Sequence, residues 1–322
     1  MKLRSAIAAT SLVAAGGIAF AMPANADLVT SCVGEGGAVT VPGDLVVPAG
    51  KACWLNGTTV EGNVRVGAGA DLIVEGVTFK GSVNVAADAY IDTTDSTIIR
   101  NVTANNAFGS YFYGSNVGGA VNATAPEGSE NDGFVYAVDS KVTGRVNAAV
   151  PGEVVLDGAQ VGGALIGQGT RYVDVYNSTV GGKLTVAGNE EGSVFCESEV
   201  YGDASYTGNS KTLQLGADGP LAPCSGASYW GGNVDISNNT ATVVVSNNIV
   251  RGNLSGTGND PAPTGENNRV RGTVSGQFED LQAPAAMRMA APQDRKADLS
   301  GEVKERRADA QAEAEAAGKA KL

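Results

Sequence analysis

Cleaving a polysaccharide takes two carboxylates within reach of one sugar bond, or a calcium site beside a base. The acids that could meet this need are Asp92, Asp95, Asp157 and Asp174, with the loop acids of Glu130-Asn131-Asp132. The chain has no histidine. That removes the usual zinc ligand, the usual general base near neutrality and any Ser-His-Asp triad. Serines recur, but a serine nucleophile needs a base beside it. Tyr111, Tyr113 and Tyr136 could stack on a sugar ring or simply support one another. No catalytic residue, cofactor or metal ligand is assigned, and the expected protein is not an enzyme.

Whether these groups meet depends on the elements that carry them. A phrase close to Ser-x-Val-x-Gly-x-Val-x-Ala recurs with its centre at Gly62, Gly81, Arg100, Gly119, Gly144, Gly163, Gly182, Gly202, Gly232, Gly252 and Gly272. The spacings are 19, 19, 19, 25, 19, 19, 20, 30, 20 and 20 residues. Two residues to either side of each centre the chain is apolar, as in Phe79 and Val83 or Val161 and Leu165, while the residues between vary freely. That alternation of period two marks a strand with one buried face. A second strand precedes each centre, as in Leu72/Val74, Ile91/Thr93 and Val154/Leu156, and Gly, Asn, Ser and Asp punctuate the corners.

One such unit cannot bury its own apolar face, whereas stacked units bury a continuous column. The sequence therefore predicts an all-β, single-stranded parallel β-helix of about eleven coils, some 50 Å long at roughly 4.8 Å per coil. In that frame Asp92 and Asp174 share an outward register but lie four coils apart, roughly 19 Å, too far to act as a pair. Solvated surface charge is the expected state of these acids. Tyr111 and Tyr136 share the same register on adjacent coils. Ser96, Ser115, Ser140, Ser178, Ser198, Ser228, Asn248 and Asn268 recur four residues before the centre, where they can bond up and down the stack.

Lys2 and Arg4, the apolar run from Ala6 to Ala21 and Ala24-Asn25-Ala26 read as a signal peptide cleaved before Asp27. The run is shorter than the roughly 20 residues that span a bilayer. Cys32, Cys53, Cys196 and Cys224 then read as two disulfides in an exported chain. Seven coils separate the first two from the last two, about 30 Å, against the roughly 7 Å a disulfide allows. The pairing is thus Cys32 with Cys53 and Cys196 with Cys224. The first staples an N-terminal cap, and the second pins the long insertion before Gly232. The organisation predicted is signal peptide 1–26, cap 27–56, β-helix 57–281, and linker with Ala/Glu/Lys-rich tail 282–322. The tail carries few large apolar residues, so it is expected as a solvated helix or a disordered segment.

Residues 27–282 carry 12 basic and 27 acidic residues, a net charge of −15 that repels nucleic acid and anionic lipid. The Val-x-Gly-x-Val-x-Ala rungs over residues 58 to 276 resemble those of the bactofilins. That resemblance implies a right-handed β-helix and non-enzymatic assembly by end-to-end stacking. The signal peptide, disulfides, corner insertions and Ala-rich tail depart from it. The expected role is a secreted structural or adhesive β-solenoid of a bacterial envelope or matrix. Its expected partners are cell-wall or extracellular polysaccharide, or further copies of itself. A carbohydrate-binding or polysaccharide-degrading β-helix is the alternative.

Overall fold

The computed structural model describes residues 28–284 and 295–322. The predicted signal peptide lies outside the described residues. Each coil lays down three short strands, as in Val64–Val66, Asp71–Glu75 and Thr78–Phe79. Coils stack in parallel register, with Val83 beside Val102, Ile91 beside Leu72 and Ile98 beside Val117. The result is three parallel sheets of 12, 11 and 12 strands. Strands such as Val64–Val66 form the first sheet, Asp71–Glu75 the second and Thr78–Phe79 the third. The inward residues fuse into one apolar column filled by Phe79, Phe112, Phe195 and Trp230. The parallel β-solenoid is therefore the fold of this chain.

It begins earlier than the sequence pattern suggested. Strands Val29–Ser31, Gly34–Gly36 and Thr40–Val41 already form a complete coil, paired with the next through Leu45 and Val46, Cys53 and Val60. The predicted cap is thus two further coils of the same rod. Val41, Gly43 and Leu45 repeat the central phrase once more, and Gly62 donates its N–H to the Gly43 carbonyl at 3.0 Å.

The central glycine is needed for closeness rather than for unusual torsion. A Cβ on Gly81 would sit 2.3 Å from the Gly62 carbonyl oxygen, and one on Gly163 would sit 2.8 Å from the Arg145 nitrogen. The coils meet there backbone to backbone. Most centres also bond the centre one coil before, as Gly144 does to Gly119 at 2.9 Å. Among the described residues that bond is missing at Arg100 and Gly232. Arg100 thus carries its side chain on a corner without this rung. Gly81→Val and Gly163→Val should each destabilise the rod by about 1–3 kcal/mol. Urea midpoints unchanged for both would show that the corner tolerates a Cβ.

The predicted serine ladder is present. Val77, Ser96 and Ser115 donate their N–H groups to Ser96, Ser115 and Ser140 Oγ at 3.0, 3.1 and 3.0 Å. A second ladder escaped the sequence reading because it runs only over the last coils and ends on a glutamine. Asn189, Asn209, Asn239 and Asn259 pass N–H bonds to Asn209, Asn239, Asn259 and Gln277 at 3.0, 2.9, 3.2 and 2.8 Å. Each side chain thereby satisfies a corner amide that stacking alone leaves without a partner.

Both disulfides pair as expected, Cys32 with Cys53 and Cys196 with Cys224, at Cα separations of 5.6 and 5.5 Å. Gln214 also ties the long insertion to the rod, its amide accepting from Leu221 and Ala222 N–H and donating to the Ala222 carbonyl. Buried Phe278, in the 3-10 turn Gly276–Phe278, closes the far end of the core. After this comes helix α1, Arg295–Ala317. It is not the solvated element the sequence suggested, because it lies against the outer face of the second sheet.

Candidate functional site

Helix α1 and the second sheet match in pitch. Twenty-three residues at about 1.5 Å per residue make a helix of roughly 35 Å. Along the sheet the helix passes from the strand Tyr172–Tyr176 to Gly34–Gly36, seven strand spacings, or about 34 Å. One helical turn therefore advances close to one coil. Leu299, Val303, Ala310 and Ala314, at steps of four, seven and four, form a narrow stripe that is buried against Ile73, Tyr136 and Val155. The stripe holds only two sizeable apolar residues, Leu299 and Val303, the rest being alanine, and that is why composition concealed it. At its far end Gly318 and Ala320 exchange backbone bonds with Glu35, both at 2.8 Å, extending the sheet past its first strand.

Beneath the helix lie the acids that sequence reasoning placed in solvent. Asp92 and Asp174 are fully buried, which corrects that expectation. Arg307 grips Asp92 from two sides, its Nε 2.8 Å from Oδ2 and its Nη2 against Oδ1, and the Tyr90 hydroxyl donates to Oδ2 at 2.7 Å. Asp174 takes the Val194 N–H at 2.8 Å, the Tyr176 hydroxyl at 3.1 Å and Arg295 at 3.5 Å. The two acids are four coils apart, about 19 Å, and the two arginines are twelve residues apart, about 18 Å along a helix. One clamp therefore repeats in register at two points of the rod. Asp157 meets Lys296 at 3.0 Å, and Asp71, missed in the sequence, meets Arg306 at 2.8 Å. Asp95 stays exposed at a corner in the left-handed region, at φ 46°.

The tyrosines divide likewise. Tyr111 and Tyr136 pair edge to face at 5.3 Å, but Tyr136 is buried and reaches Ser300 at 3.3 Å, while the Arg307 guanidinium lies 5.5 Å from the Tyr111 ring. The pair is an internal support for the helix, the second of the two roles the sequence left open to these rings. Only Tyr113 of the three is exposed, at 43%. The pairing of cations with rings continues with Arg295 over Tyr172, Lys296 over Tyr176 and Arg306 over Phe108, at 4.6, 4.6 and 4.7 Å. Such contacts strengthen where water is excluded.

A second ionic knot lies near the helix N-terminus. Arg171 reaches both Glu153 and Asp132 at 2.5 Å, so the 124–133 insertion is fastened through the acid once considered for calcium. Among the described residues no group of three or more His, Cys, Asp or Glu side chains is placed to hold a metal. Burial raises the carboxyl groups of Asp71, Asp92 and Asp174 above their usual range, against the pull of their arginines. Burial likewise pushes Glu153 up to about 7, with Arg171 opposing.

A carboxyl raised by folding favours the folded state below its unfolded value, and that advantage is lost as pH rises through the folded value. For Glu153 the window runs from 4.5 to about 7. Glu153→Gln should therefore stabilise the protein by about 1–3 kcal/mol at pH 8 and leave it nearly unchanged at pH 5. Urea unfolding at the two pH values checks this, and destabilisation at pH 8 would mean that the Arg171 ion pair outweighs desolvation.

The arrangement holds a helix and braces a rod. No family model matches this chain, and neither the curated proteins nor the solved structures compared with it provide a match. The likeness to bactofilins accordingly stays with the repeat pattern.

Proposed function

We propose that the chain is an exported, non-enzymatic structural or adhesive β-solenoid of a bacterial envelope or matrix. The observation that carries this reading is the use made of the second sheet's outer face. There Asp71, Asp92, Asp157 and Asp174 are each taken by a cation of the chain's own helix. A groove for polysaccharide cleavage would keep its carboxylates open to substrate, with one raised and one ionised. Here the face is spent on bracing. Export is supported by the signal-type sequence of residues 1–26 and by the two disulfides. Among the described residues no helix is long and apolar enough to cross a membrane.

The test is incubation of the mature protein, with calcium, against acidic and neutral polysaccharides. No chain shortening is expected. Reproducible shortening that disappears on Asp132→Asn, with the unfolding midpoint unchanged, would replace this reading with an enzyme. The adhesive half of the proposal draws on a separate observation: Tyr113 and Tyr201 stay 43% and 54% exposed on the rod.

A further inference from the structure

The third sheet carries an unusual charge pattern near its far end. Its strands place Val200, Trp230, Val250 and Val270 inward, so the residues on either side point to solvent. One outward rank runs Glu199, Tyr229, Ile249, Arg269. The next runs Tyr201, Gly231, Arg251, Arg271, with its N–H groups still bonded coil to coil at 2.7–2.9 Å. Side chains in one rank are therefore about 4.8 Å apart at the backbone. Arg251, Arg269 and Arg271 form a tight cluster, and all three are exposed.

Nothing in the fold accounts for them. Like charges directly opposed on neighbouring strands are destabilising. The rod holds 27 acids against 12 bases, yet these three arginines make no ion pair among the described residues. Elsewhere the pattern is the reverse, with Arg65 on Asp44 and Lys80 on Glu61 from the coil before. Beside Arg269, the corner residues Asn247 and Asn267 line an open cleft with it. Two coils away Tyr201 and Tyr229 pair edge to face at 6.0 Å, and the Tyr201 hydroxyl is fixed by Glu199 at 2.7 Å. The strip from Tyr201 to Arg271 spans three coil steps, about 14 Å. Gly231 in one rank and Ile249 in the other lie between the aromatic and basic ends.

We infer that this strip binds an anionic polysaccharide lying along the rod axis. Sugar rings rest on Tyr201 and Tyr229, and carboxylate, sulfate or phosphate groups engage Arg251, Arg269 and Arg271. Guanidinium groups match such anions through paired N–H donors, and the asparagine amides offer further bonds to hydroxyls. The acidic remainder of the rod opposes any polyanion beyond the strip, so the strip fits a short run of charged sugars rather than a long nucleic acid or a lipid surface. The inference rests on the adhesive reading above.

Binding of the mature protein to immobilised polygalacturonate and dextran sulfate, with neutral dextran as control, tests it. The acidic polymers should bind and weaken with salt, and neutral dextran should not bind. Replacing all three arginines with alanine should weaken binding about tenfold or more, and Tyr201→Ala about threefold, with unfolding midpoints unchanged for Tyr201→Ala and unchanged or raised for the triple variant. Equal binding by the triple variant, no binding of either acidic polymer, or tighter binding of single-stranded DNA or anionic vesicles would overturn the inference. None of these outcomes bears on the degradation assay, so the structural proposal stands or falls separately.

Discussion

Arg307→Ala should destabilise the protein by about 3–5 kcal/mol at neutral pH, one of the two largest effects anticipated for a single substitution. Asp92 has no solvent exposure, and Arg307 supplies its countercharge through both carboxylate oxygens. Removing the arginine leaves Tyr90 as the remaining side-chain donor to a carboxylate deep under the helix. Asp92→Asn in the Arg307→Ala background should recover much of the loss, because the amide keeps the shape without the charge. The pH dependence offers an independent check. Burial already raises the Asp92 carboxyl, so the single variant should regain stability as pH falls and the acid protonates. Arg307→Ala with wild-type urea unfolding at neutral pH would mean that the clamp carries no energy.

Trp230→Ala should cost a comparable amount, about 3–5 kcal/mol. The indole is 1% exposed, lies 4.1 Å from the Phe195 ring and donates Nε1–H to Asn248 Oδ1 at 2.8 Å. Truncation opens a cavity in a column only one coil wide and leaves a ladder amide short of a partner. Neighbouring coils cannot close in, since their backbones already touch at the central glycines. Trp230→Phe should lose markedly less. Equal losses for the two variants would place the energy in the hydrogen bond rather than in the packing.

The coil was legible because each rung repeats the same alternation, and a 19–20 residue period leaves few other folds. Gly43 obeys the pattern as well as Gly62 does, and it was missed because cysteines on either side suggested a separate cap. The disulfides were legible because a linear stack turns sequence separation into distance. The covered face was not. An outward position on a strand reads as solvent-facing until the element that covers it is recognised. Here that element shows only a sparse stripe, Leu299, Val303, Ala310 and Ala314, in a tail rich in charged residues. Its signal was the matching of two intervals: Asp92 and Asp174 across four coils, and Arg307 and Arg295 across twelve residues. The Arg251, Arg269 and Arg271 cluster needed the register of the third sheet, because its members are 18 and 2 residues apart in sequence.

Helix α1 is a working part of the rod, held down by its arginine clamps on carboxylates that would otherwise stand open. Amide hydrogen exchange of the intact mature protein measures this most directly. A helix of this composition has little stability alone, since isolated helices are marginal and this one buries only a narrow stripe. Residues 299–317 should be protected to a degree approaching the neighbouring second sheet. In a variant carrying both Arg295→Ala and Arg307→Ala that protection should fall sharply, while the far coils keep theirs. Exchange of these amides at the rate of an unstructured peptide in the unmodified protein would contradict the account.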